Sequence, residues 1–192
     1  MLLGYRVLEL GQSVLASTDL VAEFRRLTGM LPTLREETVL IGALDVLDVV
    51  YLARHNGNQP IRLAVDIGHR LPAVATSMGK AMLAALPAEE AEARLSGVEA
   101  MPLLTQRSFR TVDAVRADLE VIRRAGYAVD DEQNTRGVTC FGVALPGVRQ
   151  PTAVSTTLLT SRVDPQLRQR ILIELRKLAL QLAGVATGTT SR

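Results

Sequence analysis

The sequence predicts an α+β domain, with an antiparallel sheet of about six strands flanked by helices. Three strand-like stretches, Glu37–Asp45, Leu47–His55 and Pro60–Asp66, follow one another without an intervening helix, which favours antiparallel pairing. Three more, Tyr127–Glu132, Val138–Leu145 and Thr152–Thr160, follow in the second half. Helical periodicity occupies both ends and the space between the third and fourth strands.

Asp19–Leu31 reads as an amphipathic helix, with Leu20, Val21, Phe24, Leu27 and Leu31 on one stripe. The first two strands are rich in β-branched and aliphatic residues and flank a short Asp45-Val46 turn. Gly57-Asn58 marks another turn. In the third strand Leu63 shares a face with Ile61 and Val65. Thr76 or Ser77 then caps a helix of Met78, Ala81, Met82, Leu83, Ala84, Ala85 and Leu86, stopped by Pro87. A short acidic helix, Pro87–Leu95, and an irregular stretch, Gly97–Ser108, come next. Thr111 caps a helix with Val112, Val115, Leu119 and Ile122 on one face, closed by Gly126. The last helix opens with Asp164 as N-cap and Pro165 in its first turn. Its apolar stripe is Leu167, Ile171, Leu175, Leu178 and Leu182.

Composition removes several function classes. The chain has 192 residues, 47% hydrophobic but only 3% aromatic and without Trp, so its core is aliphatic. Stacking platforms for single-stranded nucleic acid depend on aromatic side chains. Net charge is +2, from 22 basic and 20 acidic residues that are interspersed, with no phosphate-neutralising stripe. One cysteine excludes an intramolecular disulfide and a multi-cysteine zinc site. No signal peptide or membrane-length apolar run is present, so a cytoplasmic protein without membrane contact is expected. No cofactor or metal is expected, and the end of the chain, residues 185–192, reads as a flexible tail.

The stretch GHRLPAVATSMGKAMLAAL, residues 68–86, organises the rest. A loop feeding a capped helix leaves N–H groups around Ser77, Met78 and Gly79 without intrahelical acceptors, and the helix dipole favours an anion there. Gly79 permits close approach of a ligand or another backbone, and Lys80 supplies a mobile cation. Without further context this is an ordinary capped helix packed on a sheet. A Walker phosphate loop is excluded, because Val74 stands where that motif needs glycine and Ala81 where it needs Ser or Thr.

Three blocks in order carry a resemblance. Gly68-x-Arg70-Leu71-Pro72-Ala73 with Thr76-Ser77-Met78-Gly79-Lys80-Ala81 is similar to the effector-domain signature of the IclR family of bacterial transcription regulators. Gly126-Tyr127-Ala128-x-Asp130-Asp131-Glu132, then Gly137-Val138-x-Cys140, resembles that family's acidic stretch and glycine-cysteine strand. Ser155-Thr156-Thr157 followed by Ser161-Arg162 lies where the family has its last strand and the start of its final helix. The opening Gly4-Tyr5 and Leu10-Gly11 fit the segment between the family's two domains. The resemblance implies a GAF-like (profilin-like) domain over residues 16–184. Residues 1–15 would be a remnant of the inter-domain linker, and the winged-helix DNA-binding domain would lie outside this chain.

The candidate site residues follow from matching positions. Asp130 matches the family's first pocket carboxylate; read alone, the acidic cluster is a solvated strand end, with Asp130 and Glu132 on one face and Asp131 on the other. Gln133 stands where the family often has a second glutamate. Cys140 reads as a small buried hydrophobe and, by family position, as pocket wall. A catalytic role would need a base, and neither His55 nor His69 has a spacing that recommends it. Ser155 and Thr157 share a strand face and match two hydroxyl contacts, while a one-residue slip would reverse that face. Leu63 and Val138 would give an apolar floor, and Met78 would reshape the cavity.

Together Leu63, Ser77, Met78, Gly79, Asp130, Val138, Cys140, Ser155 and Thr157 describe a pocket for a small organic acid, an aromatic catabolite among the candidates. The expected function is a ligand-sensing, oligomerising domain, a homodimer or homotetramer that reaches DNA only through a domain absent from the chain. Two alternatives stand beside it: a GAF-like protein–protein interaction module without ligand, and a GAF-type enzyme acting through cysteine. The enzyme requires a second redox cysteine and an acid/base partner.

Overall fold

The computed structural model describes residues 19–59 and 67–188. The sheet is built from β1 (Thr38–Asp45), β2 (Asp48–His55), β3 (Arg70–Pro72), β4 (Ala128–Asp131), β5 (Val138–Ala144) and β6 (Thr152–Leu159). All pairs are antiparallel, in the order β3-β2-β1-β6-β5-β4. The helices are α1 (residues 19–30), α2 (Ser77–Ala85), α3 (Ala88–Leu95), α4 (Val112–Ala125) and α5 (Pro165–Ala186). This is the α+β architecture read from the sequence, with most boundaries displaced by one residue.

Two cores sandwich the sheet. On one face α1 and α5 bury Phe24, Leu27, Ile171, Leu175 and Leu178 against Val39, Ile41, Phe141 and Val154. On the other, α2 and α4 bury Met78, Met82, Leu119 and Ile122 against Leu40, Leu44, Val49 and Tyr51. β1 is therefore covered on both sides, which explains its nearly unbroken apolar run.

The caps follow the sequence. The Thr111 side chain accepts from the Ala114 amide, Asp164 accepts from the Leu167 amide, and Gly126 closes α4 with φ 72°. Glu174 on α5 reaches the connection between α1 and β1. Its carboxylate accepts from the Thr33 and Leu34 amides and from the Thr33 hydroxyl at 2.8–3.1 Å.

Three readings change, and two are untested. The expected strand Pro60–Asp66, and Leu63 with it, lies outside the described residues, as does the linker segment 1–15. Among the described residues the third strand is Arg70–Pro72, paired with Asp48–Val50. The sequence predicts loop here, because three residues ending in proline carry no local strand signal; Pro72 suits a sheet edge. β4 stops at Asp131, and Glu132 turns to φ 60°, so Asp130 and Glu132 do not share a strand face. α5 continues through Val185 and Ala186, where the tail was expected to begin.

Candidate functional site

The site starts with how α2 meets the sheet. Thr76, extended at φ −117°, is the N-cap: its hydroxyl accepts from the Gly79 amide at 3.0 Å, and its carbonyl accepts from Lys80. Gly142 on β5 lets this first turn approach the sheet. A β-carbon there would stand 2.6 Å from the Ser77 carbonyl group. The helix start is thus held low over β5, and the uncapped N–H groups of Ser77 and Met78 belong to its first turn.

Beside it lies a cavity of about 380 Å³. Its walls are Ser77, Met78 and Thr76 from the helix start; Leu40 and Tyr51 from β1 and β2; His69 and Leu71; Asp130, Asn134 and Thr135; Val138 and Cys140 from β5; and Ser155 and Thr157 from β6. The register explains the grouping. Asp130 pairs with Cys140 and Cys140 with Thr157, while Ala128, Gly142 and Ser155 form the next row. Asn134 and Thr135 also border an outer groove of about 650 Å³ lined by Arg107, Glu132 and Arg136.

The polar residues here are buried, and several of their cavity-facing atoms have no protein partner among the described residues. Ser77 and Ser155 are each 2% exposed, and neither hydroxyl has a hydrogen-bond partner among the described residues. The same holds for the Tyr51 hydroxyl. Asp130 is 3% exposed; its Oδ1 accepts from the Gln133 and Asn134 amides at 2.7 and 3.1 Å, and its Oδ2 has no partner among the described residues. These atoms are accessible from the cavity, so water or a ligand can meet them there.

Electrostatics follow burial. Loss of water pushes the Asp130 carboxyl up to about 6, against the pull of the Asn134 and Gln133 amides and the Lys80 charge. Burial also pushes the Cys140 thiol up, and the Asp130 charge adds to this. Its Sγ lies 3.5 Å from the Thr157 hydroxyl. A thiol held protonated is wall, not nucleophile.

Lys80 and Gly79 differ from expectation. The Lys80 side chain is 0% exposed and is not a mobile cation. Its Nζ donates to Asp118, to the Val129 carbonyl and to the Gln133 side chain at 2.6–2.8 Å, 4.9 Å from the Phe109 ring centroid. Gln133 therefore faces Lys80 and does not line the cavity. Gly79 does not line it either, because its amide serves the Thr76 cap and a β-carbon there would lie 2.2 Å from the Ala73 carbonyl oxygen. The close approach it permits is that of another backbone.

Sequence reasoning missed Leu40, Tyr51, His69, Leu71, Thr76, Asn134 and Thr135 as cavity residues. Tyr51 had one usable signal, a polar-tipped aromatic in an otherwise aliphatic strand. Its face was obscured because the ladder jumps from Ile41–Ala53 to Gly42–Tyr51, a bulge that leaves Leu52 unpaired. Strict alternation would put Tyr51 and Ala53 together, yet they belong to opposite cores.

An antiparallel sheet with helices on both faces and a partly open, ligand-sized cavity under one helix start defines the class: an α+β sandwich with a binding pocket. The comparisons give the family: residues 12–183 match the bacterial transcriptional regulator IclR C-terminal domain, and the chain belongs to that family. It is 33% identical over 171 residues to the HTH-type transcriptional regulator XynR of Escherichia coli, covering 84% of this chain and 65% of XynR. Across the first three curated relatives the chain spans 50–65% of their length. Among solved structures it resembles the Agobacterium tumefaciens repressor BlcR, at TM-score 0.78 and 27% identity, covering 97% of this chain and 74% of that one. It also resembles the inducer-binding domain of a double mutant of PobR from Acinetobacter, in complex with 3-hydroxybenzoic acid. There the TM-score is 0.71 at 28% identity, over 83% of this chain and 94% of that one. These relatives are regulators of transcription, not enzymes. No helix among the described residues is long and apolar enough to cross a membrane.

Proposed function

We propose that this chain is the effector-binding and oligomerisation domain of a transcription regulator, and that its cavity holds a small organic acid. The observation that carries the reading is the set of polar atoms on Ser77, Tyr51, Asp130 and Ser155 that have no protein partner among the described residues and line about 380 Å³ of space. That volume suits a small ligand with few, well-placed polar contacts. The amides and dipole at the start of α2 favour a carboxylate at the Ser77 end. Met78, Val138 and Leu40 offer apolar contact to the rest of the molecule. A relative solved with 3-hydroxybenzoic acid supports an aromatic acid as one candidate.

Regulation would run through quaternary structure. A ligand that binds one arrangement of subunits better than another shifts the population, and with it the spacing of DNA-binding domains outside these 192 residues. Ile173 and Leu180, exposed and seven residues apart on α5, offer apolar surface for a homodimer or homotetramer.

The test is a thermal-shift screen against aliphatic and aromatic mono- and dicarboxylic acids. A ligand at a hundred times its dissociation constant stabilises the fold by roughly 2.7 kcal/mol. Ser77→Trp, which fills the cavity, and Ser155→Ala should abolish or weaken any hit. A flat screen with the wild-type protein would defeat the reading.

A further inference from the structure

Asp130 faces the cavity with one oxygen engaged and the other free. Oδ1 accepts two backbone amides, and Oδ2 has no partner among the described residues. Its ladder row, Asp130–Cys140–Thr157, adjoins the row of Gly142, which lies under Ser77. Adjacent same-face rows of a sheet stand about 7 Å apart. A carboxylate seated at the Ser77 end of the cavity therefore comes within a small-molecule length of the Asp130 carboxylate. Two negative charges at that distance, shielded from water, repel strongly.

The groups around Asp130 do not remove the conflict. Lys80 of α2 attracts it, but its three donors are engaged by Asp118 of α4, the Val129 carbonyl and Gln133. β2 presents the Tyr51 hydroxyl; β5 and β6 present the Cys140–Thr157 pair. On its own element, Asp131 pairs with Arg107 and Glu132 accepts from the Gly137 amide. His69 stands on the cavity wall between β2 and β3.

We propose that the cavity takes its organic acid together with one proton, which binds Asp130 Oδ2 and converts a repelling carboxylate into a hydrogen-bond donor. This deepens the acid-binding reading above and rests on it. The proton comes from solvent, and the bound state is a ligand carboxylate beside a neutral Asp130 carboxyl, sharing one negative charge between them. The empty protein is already poised for this, since burial holds Asp130 near 6. The sensor then responds to acid and acidity jointly: affinity falls as pH rises, by up to roughly tenfold per pH unit above about 6.

Titration calorimetry of the whole chain tests it, with benzoate, pyruvate and 3-hydroxybenzoate as probes at about pH 6 and about pH 8. Two buffers of different ionisation enthalpy report the protons taken up. The expected result is uptake approaching one proton per ligand, with affinity dropping tenfold or more across the range. Asp130→Asn should bind benzoate independently of pH and at least as tightly as wild type at the higher pH. His69→Gln, which removes the imidazole from this wall, should keep the wild-type slope. Equal affinity at both pH values without proton uptake overturns the proposal and leaves acid binding intact. So does a slope lost in His69→Gln, or a tenfold loss of benzoate binding in Asp130→Asn. No binding by any probe at either pH defeats the acid-binding reading, and this proposal with it.

Discussion

Gly142 lies directly beneath the Ser77 peptide, so close that a methyl group on Gly142 would stand 2.6 Å from the Ser77 carbonyl carbon. The contact is backbone on backbone, and neither side can yield by rotating a side chain. Gly142→Ala should lift the start of α2 from the sheet, costing about 1–3 kcal/mol in denaturant unfolding. It should also diminish the thermal shift given by any ligand of the cavity. A variant of unchanged stability would show that the helix start is not held there by the glycine.

Lys80 predicts a larger loss. It is fully buried, and Lys80→Met strands the Val129 carbonyl, the Gln133 side chain and part of Asp118. Breaking a buried pair by removing one partner costs about 3–5 kcal/mol; the lower end applies because Asp118, about a quarter exposed, can regain water. Urea midpoints for the two proteins decide it. A difference below about 0.5 kcal/mol would contradict the network.

The Asp130 carboxyl binds its proton more tightly in the folded chain, at about 6, than at its ordinary value of 3.8. The native state therefore gains on the unfolded one at low pH, and this stabilisation is lost as pH rises through about 6. Asp130→Asn keeps an acceptor for the Gln133 and Asn134 amides and removes the charge. It should be more stable than wild type by on the order of 2 kcal/mol above about pH 7, with the advantage fading below about pH 5. Melting temperatures across that range would expose the opposite trend if the carboxylate were favourably held.

Glu174 ties α5 to the turn before β1 through two amides and a hydroxyl. Glu174→Ala should cost about 1.5–3 kcal/mol, since hydrogen bonds to a charged group are among the stronger ones. Hydrogen exchange should rise first at the Thr33 and Leu34 amides. Protection unchanged at those two positions would mean that another group holds the turn.

The architecture was legible because it rests on signals that act locally. Thr111, Asp164 and Gly126 mark their helix ends by cap chemistry, and the α4 and α5 stripes by period. Asp130, Ser155 and Thr157 lie on the cavity because their β4–β5–β6 register preserved parity. Tyr51 escaped because a bulge breaks parity, and Arg70–Pro72 because its pairing with β2 is tertiary. Lys80 was misread for a related reason. Its position near a helix start suggests an exposed cation, but its acceptors come from residues 38 to 53 positions away.

The sheet order β3-β2-β1-β6-β5-β4 joins the two halves of the chain along the β1–β6 seam, where Thr156 bonds the Thr38 carbonyl across 118 residues. Leu40 and Tyr51 belong to the first half, and Asp130, Cys140 and Ser155 to the second. The walls come from both halves, so the cavity is complete only after the most sequence-distant strand pairing has formed. Long-range strand pairing forms slowly because loop closure precedes its reward. An occupant touching walls from both halves would consequently favour the closed seam and slow unfolding, while contributing nothing to the speed at which a nascent chain first reaches its native form.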